Sequence, residues 1–414
     1  MLPPVIELYV LWHPGDGEGE NVANMLIEHF RGPCFSGVIG GGVQISTRSV
    51  GWTDDDSPPR PIYGRQNPAP NGIRPAEFIA VIPVLGLGLA EAVEDEKSEW
   101  HDYVQSIVDF QSADPDRFAI FPYSVSRQAT NGTCLGKLVS RFQALAAGNV
   151  NRFGESRESA LKRDLTQSLA QFLGNQKERL TVFISHTKHG SDKEGASVEA
   201  LIDLTRDVLA NTHLAEFFDA SDLQPGEDWD KVLRTHAGKS SLLAIRSDLY
   251  ASREWCQREV VIAKNSGMPV ITIDAIGWGE ERGSFLMDHV PRIPVRKLED
   301  EWVVLDVVAA LNLLTDECLK RAIWVHQRRL AEEEGGFRVA WWAPHAPELL
   351  TLIEWIDLNI EDLKRAKGDS LRILHPDPPL GPEELKILQK QAKLSALSCE
   401  IDIMTPRLLA ARGG

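Results

Sequence analysis

Short apolar runs alternate with helical segments over residues 179–274, and this alternation constrains the fold more than any other feature. In chain order the runs are Leu180–Ile184, Ala215–Phe218, Leu242–Arg246 and Val270–Asp274. Amphipathic segments over Val198–Leu209 and Arg253–Asn265 lie between them. Runs that are apolar throughout are typical of strands buried on both faces, and strands that alternate with helices form parallel sheets. The pattern therefore predicts a doubly wound, parallel α/β sheet.

A second α/β pattern precedes this stretch. Its β-like runs, in chain order, are Glu7–Trp12, Gly42–Arg48, Glu77–Val84 and Arg117–Tyr123. Between the first two, Asn21–Phe30 places its apolar residues at helical spacing. In both stretches a Glu-Trp pair opens a helix, with Trp100 in the first and Trp255 in the second. Two hypotheses account for the shared order: a duplicated domain, or two unrelated α/β units.

The last part of the chain combines a long helix with three further β-like runs. The helix is predicted over Leu305–Glu334, with an interruption near Leu314–Asp316. The β-like runs are Phe337–Trp342, Leu371–Leu374 and Glu400–Met404, which predict a small third α/β unit. A Pro-rich stretch, His375–Pro382, follows the second run. That loop either holds a small nucleotide-like signal or merely connects the strand to the helix that Pro382 opens.

Composition restricts the class of protein. The net charge is −16, and binding to nucleic acid or to an anionic membrane depends on clustered Lys and Arg, so we expect neither for this chain alone. No stretch approaches the roughly 20 apolar residues of a membrane helix, and the N-terminal residues do not resemble a signal peptide. The five cysteines are scattered, without metal-ligand spacing. We therefore expect a cytoplasmic chain with free thiols and no metal.

Two short motifs contain polar residues that could bind a ligand, one at the end of a strand and one in a loop. The first, Phe183-Ile184-Ser185, lies at the carboxyl end of a strand, where open α/β sheets bind ligands. The second contains Asp219, then Pro225-Gly226 in a turn, then Trp229 near a helix start. Each motif alone is also consistent with a structural role, as a strand that ends in a polar loop and as an acidic surface loop.

The third motif, Ser252 to Glu259, is the most specific. Ser252 can cap a helix on which Trp255 and Glu259 lie one turn apart on the same face. An aromatic ring beside a carboxylate suits a ligand that combines a flat ring with a ribose. The alternative is structural, with Trp255 in the core and Glu259 on a solvated helix surface. Cys256 has no evident basic partner, so we expect a buried thiol rather than a nucleophile.

Together and in this order, the three motifs resemble the TIR (Toll/interleukin-1 receptor) domain family over residues 179 to about 296. The corresponding residues are Phe183-Ile184-Ser185, Asp219, Pro225-Gly226, Trp229, Ser247 through Tyr250, and Ser252 through Glu259. The resemblance implies a TIR-like, flavodoxin-like doubly wound parallel sheet. It leaves two classes of function open, because the family contains NAD-cleaving enzymes and noncatalytic adaptors.

For an NAD-cleaving enzyme the resemblance implies that Glu259 is the catalytic carboxylate and that NAD is the substrate, with no cofactor. The implied substrate-binding residues are Phe183, Ser185, Asp219, Trp229 and Trp255. It further implies an immune effector of bacterial anti-phage defence, active as a homo-oligomer through the TIR domain or with a partner subunit. The alternatives are a noncatalytic TIR scaffold that recruits partner proteins, and a receptor for a nucleotide-derived signal.

We divide the chain into four segments on these grounds. They are a TIR-like α/β unit over residues 1–150, a linker helix over 151–178, the TIR domain over 179–298, and a helix with a small α/β unit over 299–414. In the first unit Val104 stands four residues after Trp100, where the TIR segment has Glu259 after Trp255. We therefore expect the first unit to be degenerate, a noncatalytic regulatory or assembly module.

Overall fold

The chain divides into two structural units. The computed structural model describes residues 4–32, 35, 43–65, 67–70, 72, 74–146, 153–174, 180–187, 192–214, 217–218, 240–280, 283–287, 289–333, 339–365, 370–395 and 400–412. The first unit comprises residues 1–151 and 156–175, and the second comprises residues 152–155 and 176–414. Within the described residues, none of the helices is both long and apolar enough to cross a membrane.

The first unit is built on a parallel sheet. Its strands are β1 (Ile6–Leu11), β2 (Gln44–Arg48), β3 (Phe78–Leu85), β4 (Phe118–Ile120) and β5 (Tyr123–Ser124). Its helices are α1 (Gly17–Arg31), α2 (Leu87–Val93), α3 (Glu99–Ala113), α4 (Cys134–Val139) and α5 (Arg157–Leu173), with a 3₁₀ turn at Arg127–Ala129. All four predicted β-like runs coincide with strands of this sheet.

The strands of the first unit follow the order β2-β1-β3-β4, with β5 beside the end of β3, and every pairing is parallel. All eight residues of the central strand β3 are buried, as expected for a strand covered on both faces. Trp100 and Val104 of α3 pack in one apolar cluster with Tyr9 of β1. Helix α5, predicted as a linker, belongs to this unit, where Asp164 accepts a hydrogen bond from the backbone N–H of Ala146 at 3.0 Å.

The second unit contains a larger and a smaller parallel sheet, with a long helix between them in the chain. The larger sheet has β6 (Thr181–Ser185), β7 (Phe217–Phe218), β8 (Ser240–Arg246), β9 (Val270–Asp274) and β10 (Arg292–Pro294). A short hairpin follows, β11 (Lys297–Leu298) with β12 (Glu301–Trp302), and the smaller sheet has β13 (Trp341–Trp342), β14 (Leu371–Leu374) and β15 (Ile401–Met404). The helices are α6 (Asp192–Ala210), α7 (Glu254–Asn265), α8 (Val304–Glu333), α9 (Leu349–Leu358), α10 (Ile360–Arg365), α11 (Pro382–Leu394) and α12 (Pro406–Ala411), with 3₁₀ turns at Tyr250–Ser252 and Phe285–Met287.

The strand order of the larger sheet locates a ligand-binding edge. The order is β7-β6-β8-β9-β10, and all pairs are parallel. Numbered along the chain this is 2-1-3-4-5, the flavodoxin-like order, in which ligands bind at the carboxyl ends of the strands where the order reverses. Strands β6 and β8 flank that point here. The prediction of an α/β chain with parallel sheets is confirmed, and the first unit has the same 2-1-3-4 order over its four main strands.

Helices cover both faces of the larger sheet. Leu242 and Ala244 of β8 pack in one apolar cluster with Cys256 and Val260 of α7. Ser241, whose side chain points to the opposite face, hydrogen-bonds to the thiol of Cys318 on α8. A strand that is buried on both faces must be apolar almost throughout, which explains why β8 has little polar–apolar alternation.

Helix α8 runs without interruption, so the predicted break near Leu314–Asp316 is wrong. Leu314 and Thr315 are buried, and the hydroxyl of Thr315 donates to the carbonyl of Asn312 at 2.7 Å. The hydroxyl is therefore satisfied inside the helix. Since α8 packs on β9 and β10, burial of its apolar face outweighs the low helix propensity of a Thr-Asp pair.

The smaller sheet has the order β13-β14-β15, again parallel, and it belongs to the same structural unit as the larger sheet. Strand β14 matches the prediction at both ends, and α11 begins at Pro382 as predicted. The carboxylate of Glu384 accepts from the backbone N–H of Gly381 at 2.7 Å, which stabilises the start of that helix. The positions of the three boundaries between the four predicted segments stay a prediction.

Candidate active site

The central feature of the candidate site is a hydrogen bond from strand β6 to helix α7. Ser185 is the last residue of β6, and its hydroxyl donates to Oε2 of Glu259 in the middle of α7. Ser185 is 2% and Glu259 3% exposed. The sequence predicts that Ser185 and Glu259 lie in one site, and their hydrogen bond agrees with this. The alternative hypothesis, Glu259 on a solvated helix surface, is wrong.

Tyr250 completes this arrangement. It lies in the 3₁₀ turn between β8 and α7, and its hydroxyl is 2.6 Å from Oγ of Ser185. Because the Ser185 proton is directed at Glu259, the Tyr250 hydroxyl acts as the donor to Ser185. Burial, together with the negative charge of Glu259, raises the pKa of Tyr250 well above its ordinary value, so the phenol keeps its proton. The three side chains form a chain of donors that ends on the carboxylate.

The backbone around these residues is fixed by a second set of contacts. Thr187, two residues after Ser185, has its hydroxyl 3.3 Å from the hydroxyl of Ser247, and both residues are buried. The backbone N–H of Tyr250 donates to the carbonyl of Ser247 at 3.1 Å. These contacts tie together the segments that follow β6 and β8, which are the two strands at the reversal of strand order. They fix the backbone on either side of the Ser185–Tyr250 contact.

Helix α7 presents Glu259 on its apolar side. Cys256, Val260 and Ala263 on that side belong to the core, whereas Glu254 and Arg258 are exposed and pair with each other at 2.7 Å. Placing an ionised carboxylate among apolar residues costs several kcal/mol unless donors replace the lost water. The hydroxyl of Ser185 supplies one such donor. An apolar residue at position 259 would stabilise this face of α7 better than a glutamate does.

Cys256 lies beside the carboxylate and stays a thiol. Its Sγ donates to the carbonyl of His186 at 3.5 Å. Burial and the charge of Glu259 raise the pKa of Cys256 to about 12. Since the thiolate is the nucleophilic form, this residue has no nucleophilic role near neutral pH, in agreement with the sequence analysis.

The remaining predicted substrate-binding residues fall in different places. Trp255 is 41% exposed at the start of α7, so the hypothesis of a core tryptophan is wrong. Phe183 is 2% exposed and packs in the core with Tyr250, which places it behind the site. Asp219 and Trp229 lie outside the described residues.

A loop after β9 forms part of the same edge and was not predicted. The carboxylate of Asp248, which follows β8, accepts from the backbone N–H groups of Gly277, Trp278 and Gly279 at 2.9, 3.0 and 3.2 Å. Trp278 itself is 98% exposed. The only sequence signal for this loop is the Gly-Trp-Gly triplet directly after a strand, which suggests a tight turn but not the partner that fixes it.

The corresponding position of the first unit has no carboxylate. Trp100 is 5% exposed and donates through Nε1 to the carbonyl of Asp56 at 3.1 Å. Val104, one turn further along α3, is 3% exposed in the apolar cluster. Both side chains therefore have structural roles in this unit.

Comparisons with known proteins found no match, so any function for the chain must be inferred from the residues of the site. No protein-family model matches the chain, and no curated protein is significantly similar to it. Among the described residues, no group of three or more His, Cys, Asp or Glu side chains is arranged to hold a metal ion.

Proposed function

We propose that the chain is an NAD nucleosidase, which cleaves the bond between nicotinamide and ribose with Glu259 as its catalytic carboxylate. The observation that carries the proposal is the buried carboxylate of Glu259 at the reversal of strand order, held by the hydroxyl of Ser185. The strand order of the larger sheet also supports a TIR-like domain over residues 179–298. We assign the chain to anti-phage defence on the same resemblance.

A single fixed carboxylate is sufficient for this reaction. Nicotinamide in NAD is a cationic substituent that leaves as a neutral molecule, so no general acid is required. As the bond from its nitrogen to ribose C1′ breaks, the electron pair goes to nicotinamide and positive charge develops on the ribose. A carboxylate in a poorly hydrated site stabilises that charge. Water then adds to C1′ and releases a proton, which gives ADP-ribose; attack by an adenine nitrogen would give a cyclic product instead.

The hydroxyl groups around Glu259 hold it in one orientation before substrate binds. Ser185 donates to the carboxylate, and Tyr250 in turn donates to Ser185. Preorganised groups stabilise a developing charge without the cost of reorienting during the reaction. In this proposal Ser185 and Tyr250 are positioning residues, and the exposed ring of Trp255 stacks on one of the flat rings of NAD.

The shielding of Glu259 supports an enzyme with low resting activity. At 3% exposure the carboxylate is closed to a substrate as large as NAD. Turnover therefore requires the segments that cover Glu259 to move while its hydrogen bond from Ser185 is kept, and we propose that assembly of several chains triggers this movement. Trp278, 98% exposed on a loop fixed by Asp248, offers an apolar contact for a second copy at this edge.

A second candidate function is a noncatalytic scaffold, and one observation favours it. The carboxylate of Glu259 is satisfied within its own fold by Ser185, as a purely structural carboxylate would be. In that case the exposed aromatic residues Trp255 and Trp278 would contact a partner protein rather than a nucleotide. The two functions differ in whether the chain consumes NAD.

The experiment is to incubate the purified full chain with NAD at rising protein concentration and to separate the products by chromatography. The enzyme hypothesis predicts nicotinamide release whose specific rate increases with protein concentration, together with ADP-ribose or its cyclic form. The scaffold hypothesis predicts no loss of NAD at any concentration. The nature of the second product decides between hydrolysis and cyclisation.

A further inference from the structure

A half-open pocket lies in the second unit, at the edge of the larger sheet opposite the candidate active site. It has a volume of about 390 Å³ and lies among the segment that joins α7 to β9, helix α8, and the Pro-rich loop after β14. Small-molecule sites in proteins commonly span roughly 300–1,000 Å³. The cavity is thus large enough for a compact organic ligand, and it does not include any residue of the candidate active site.

One guanidinium in the cavity wall has no acidic partner. Arg321 of α8 lines the cavity, and within the described ranges no carboxylate pairs with it. Burial lowers the pKa of Arg321, with a further contribution from the nearby positive charge of Arg328. A half-buried arginine that lacks a counter-ion is unfavourable, because the partial desolvation of its charge is not offset. An anion in the cavity would offset it.

The backbone leaves room for that guanidinium. Gly267 has a φ of +64°, and a Cβ at this position would lie 3.0 Å from Nη1 of Arg321 and 2.7 Å from Pro344. A glycine is therefore required here on two grounds, the positive φ and the close approach. Gly267 and Pro344 therefore lie directly against the guanidinium of Arg321 in the cavity wall.

Most other charges in the wall are already neutralised by partners. Lys264 lies 2.7 Å from Glu348, and both are buried. His289 lies 3.1 Å from Glu384. On α8, Lys320 pairs with Glu317. Arg321 is consequently the positive group that remains for a ligand.

Asp377 is the other polar group without a full set of partners. It follows β14 in the Pro-rich loop and lines the cavity. Its Oδ2 is buried and, among the described residues, accepts no hydrogen bond. A buried carboxylate oxygen without a donor is unfavourable, and a ligand hydroxyl that reaches it as the Pro-rich loop adjusts would satisfy it. The prolines on either side of it, Pro376 and Pro378, add apolar wall that suits a flat ring.

We propose that this cavity binds a small organic phosphate that carries free hydroxyl groups, of the size and class of a ribose mononucleotide. The guanidinium of Arg321 binds the phosphate, with two parallel N–H donors. Asp377 accepts from the sugar hydroxyls, and the base lies against the proline wall. This proposal does not depend on NAD cleavage, and it can be correct or wrong whatever the outcome for the proposed function.

Calorimetric titration of the full chain with AMP tests this site directly. We expect one saturable binding event, weakened at least tenfold in Arg321→Gln. The matched control is Arg328→Gln, which lies two turns further along α8, is exposed and pairs with Glu332, and should bind AMP as the wild type does. If Arg321→Gln does not fold, Asp377→Asn replaces it, with the same weakening expected from the loss of a charged acceptor.

Simpler probes identify the chemistry that is recognised. Inorganic phosphate should compete with AMP but bind more weakly, because it lacks the hydroxyls and the ring. Benzoate, a flat carboxylate without a phosphate, should not compete. Absence of AMP binding, equal AMP binding by Arg321→Gln, or benzoate binding as tight as that of AMP would each overturn the proposal. Carrying out the titrations in Glu259→Gln keeps the result separate from any NAD chemistry.

Discussion

The hydroxyl of Ser185, at the end of β6, donates to the carboxylate of Glu259, in the middle of α7. This bond joins a residue on the central strands to a residue on the helix that covers them. It also supplies a donor for a carboxylate that is 3% exposed. The same contact therefore stabilises the fold locally and fixes the group to which we assign catalysis.

Replacing Ser185 by alanine removes one hydrogen-bond donor from the buried carboxylate. We expect Ser185→Ala to lower the free energy of unfolding by about 1–3 kcal/mol. Urea denaturation at pH 7 measures the change. The control is Ser252→Ala, an exposed serine whose hydroxyl donates to the carbonyl of Leu249, for which we expect about 0.5 kcal/mol or less. Equal stability of the two variants would show that the Ser185–Glu259 bond does not stabilise the fold.

Tyr250→Phe tests the positioning role of the phenol separately from packing. The ring remains in the core, and only the donor to Ser185 is lost. We expect kcat for NAD cleavage to fall by about fivefold to tenfold, as for the loss of one hydrogen bond, with KM unchanged. Steady-state kinetics measure both constants. A rise in KM at constant kcat would mean that Tyr250 contributes to substrate binding instead.

Trp255→Ala tests the exposed ring at the start of α7. Because Trp255 is only 41% exposed, loss of its buried part should lower the free energy of unfolding by about 1–3 kcal/mol, which leaves the chain folded for kinetics. Loss of stacking on a base or on nicotinamide should raise KM by roughly tenfold, and Trp255→Phe should restore most of the affinity. If Trp255→Ala kept the wild-type KM, the ring would have no contact with NAD.

His375 makes the second unit sensitive to acid. It is buried, and burial lowers its pKa to about 4 from an ordinary value of 6.5. Between these values the unfolded chain binds a proton that the folded chain does not, so the stabilisation is complete above pH 6.5 and is lost as pH falls toward 4. The effect is about 1–3 kcal/mol.

Thermal or urea unfolding between pH 7 and pH 4 measures this loss, and His375→Gln should make the decline shallower. The pKa of His345 is also lowered by burial, so it contributes in the same direction. His375→Gln combined with His345→Gln should flatten the profile further. A decline in the double variant as steep as in the wild type would assign the acid sensitivity to other groups.

Much of the sheet architecture can be predicted from the sequence because buried parallel strands have a distinctive composition. Strand β9 (Val270–Asp274) and strand β14 (Leu371–Leu374) match the predicted runs at both ends. Strand β10 was missed because it consists of Arg292, Ile293 and Pro294 at the edge of the sheet. Charged residues and proline are tolerated at an edge, where one side of the strand forms no ladder, so no apolar run marks it.

The candidate site could be predicted only in part. The motif around Trp255 and Glu259 identifies the helix and the carboxylate, because both lie within eight residues of Ser252. Tyr250 was not predicted to contact Ser185, since the two are 65 residues apart and meet only when β6 and β8 pair. The burial of Glu259 was also left open, because a glutamate one turn after an exposed tryptophan can point to solvent or to the core. Tertiary packing decides between these positions.

The most direct test of the account is the rate of nicotinamide release from NAD by the full chain at high concentration, with Glu259→Gln and Glu254→Gln measured in parallel. Glu254 lies on the same helix, is exposed and pairs with Arg258, so its variant controls for charge and folding. We predict that Glu259→Gln lowers the rate by at least about a hundredfold to a thousandfold while Glu254→Gln retains it. Cleavage by Glu259→Gln at the wild-type rate, or no cleavage by the wild type at any concentration, would contradict the account.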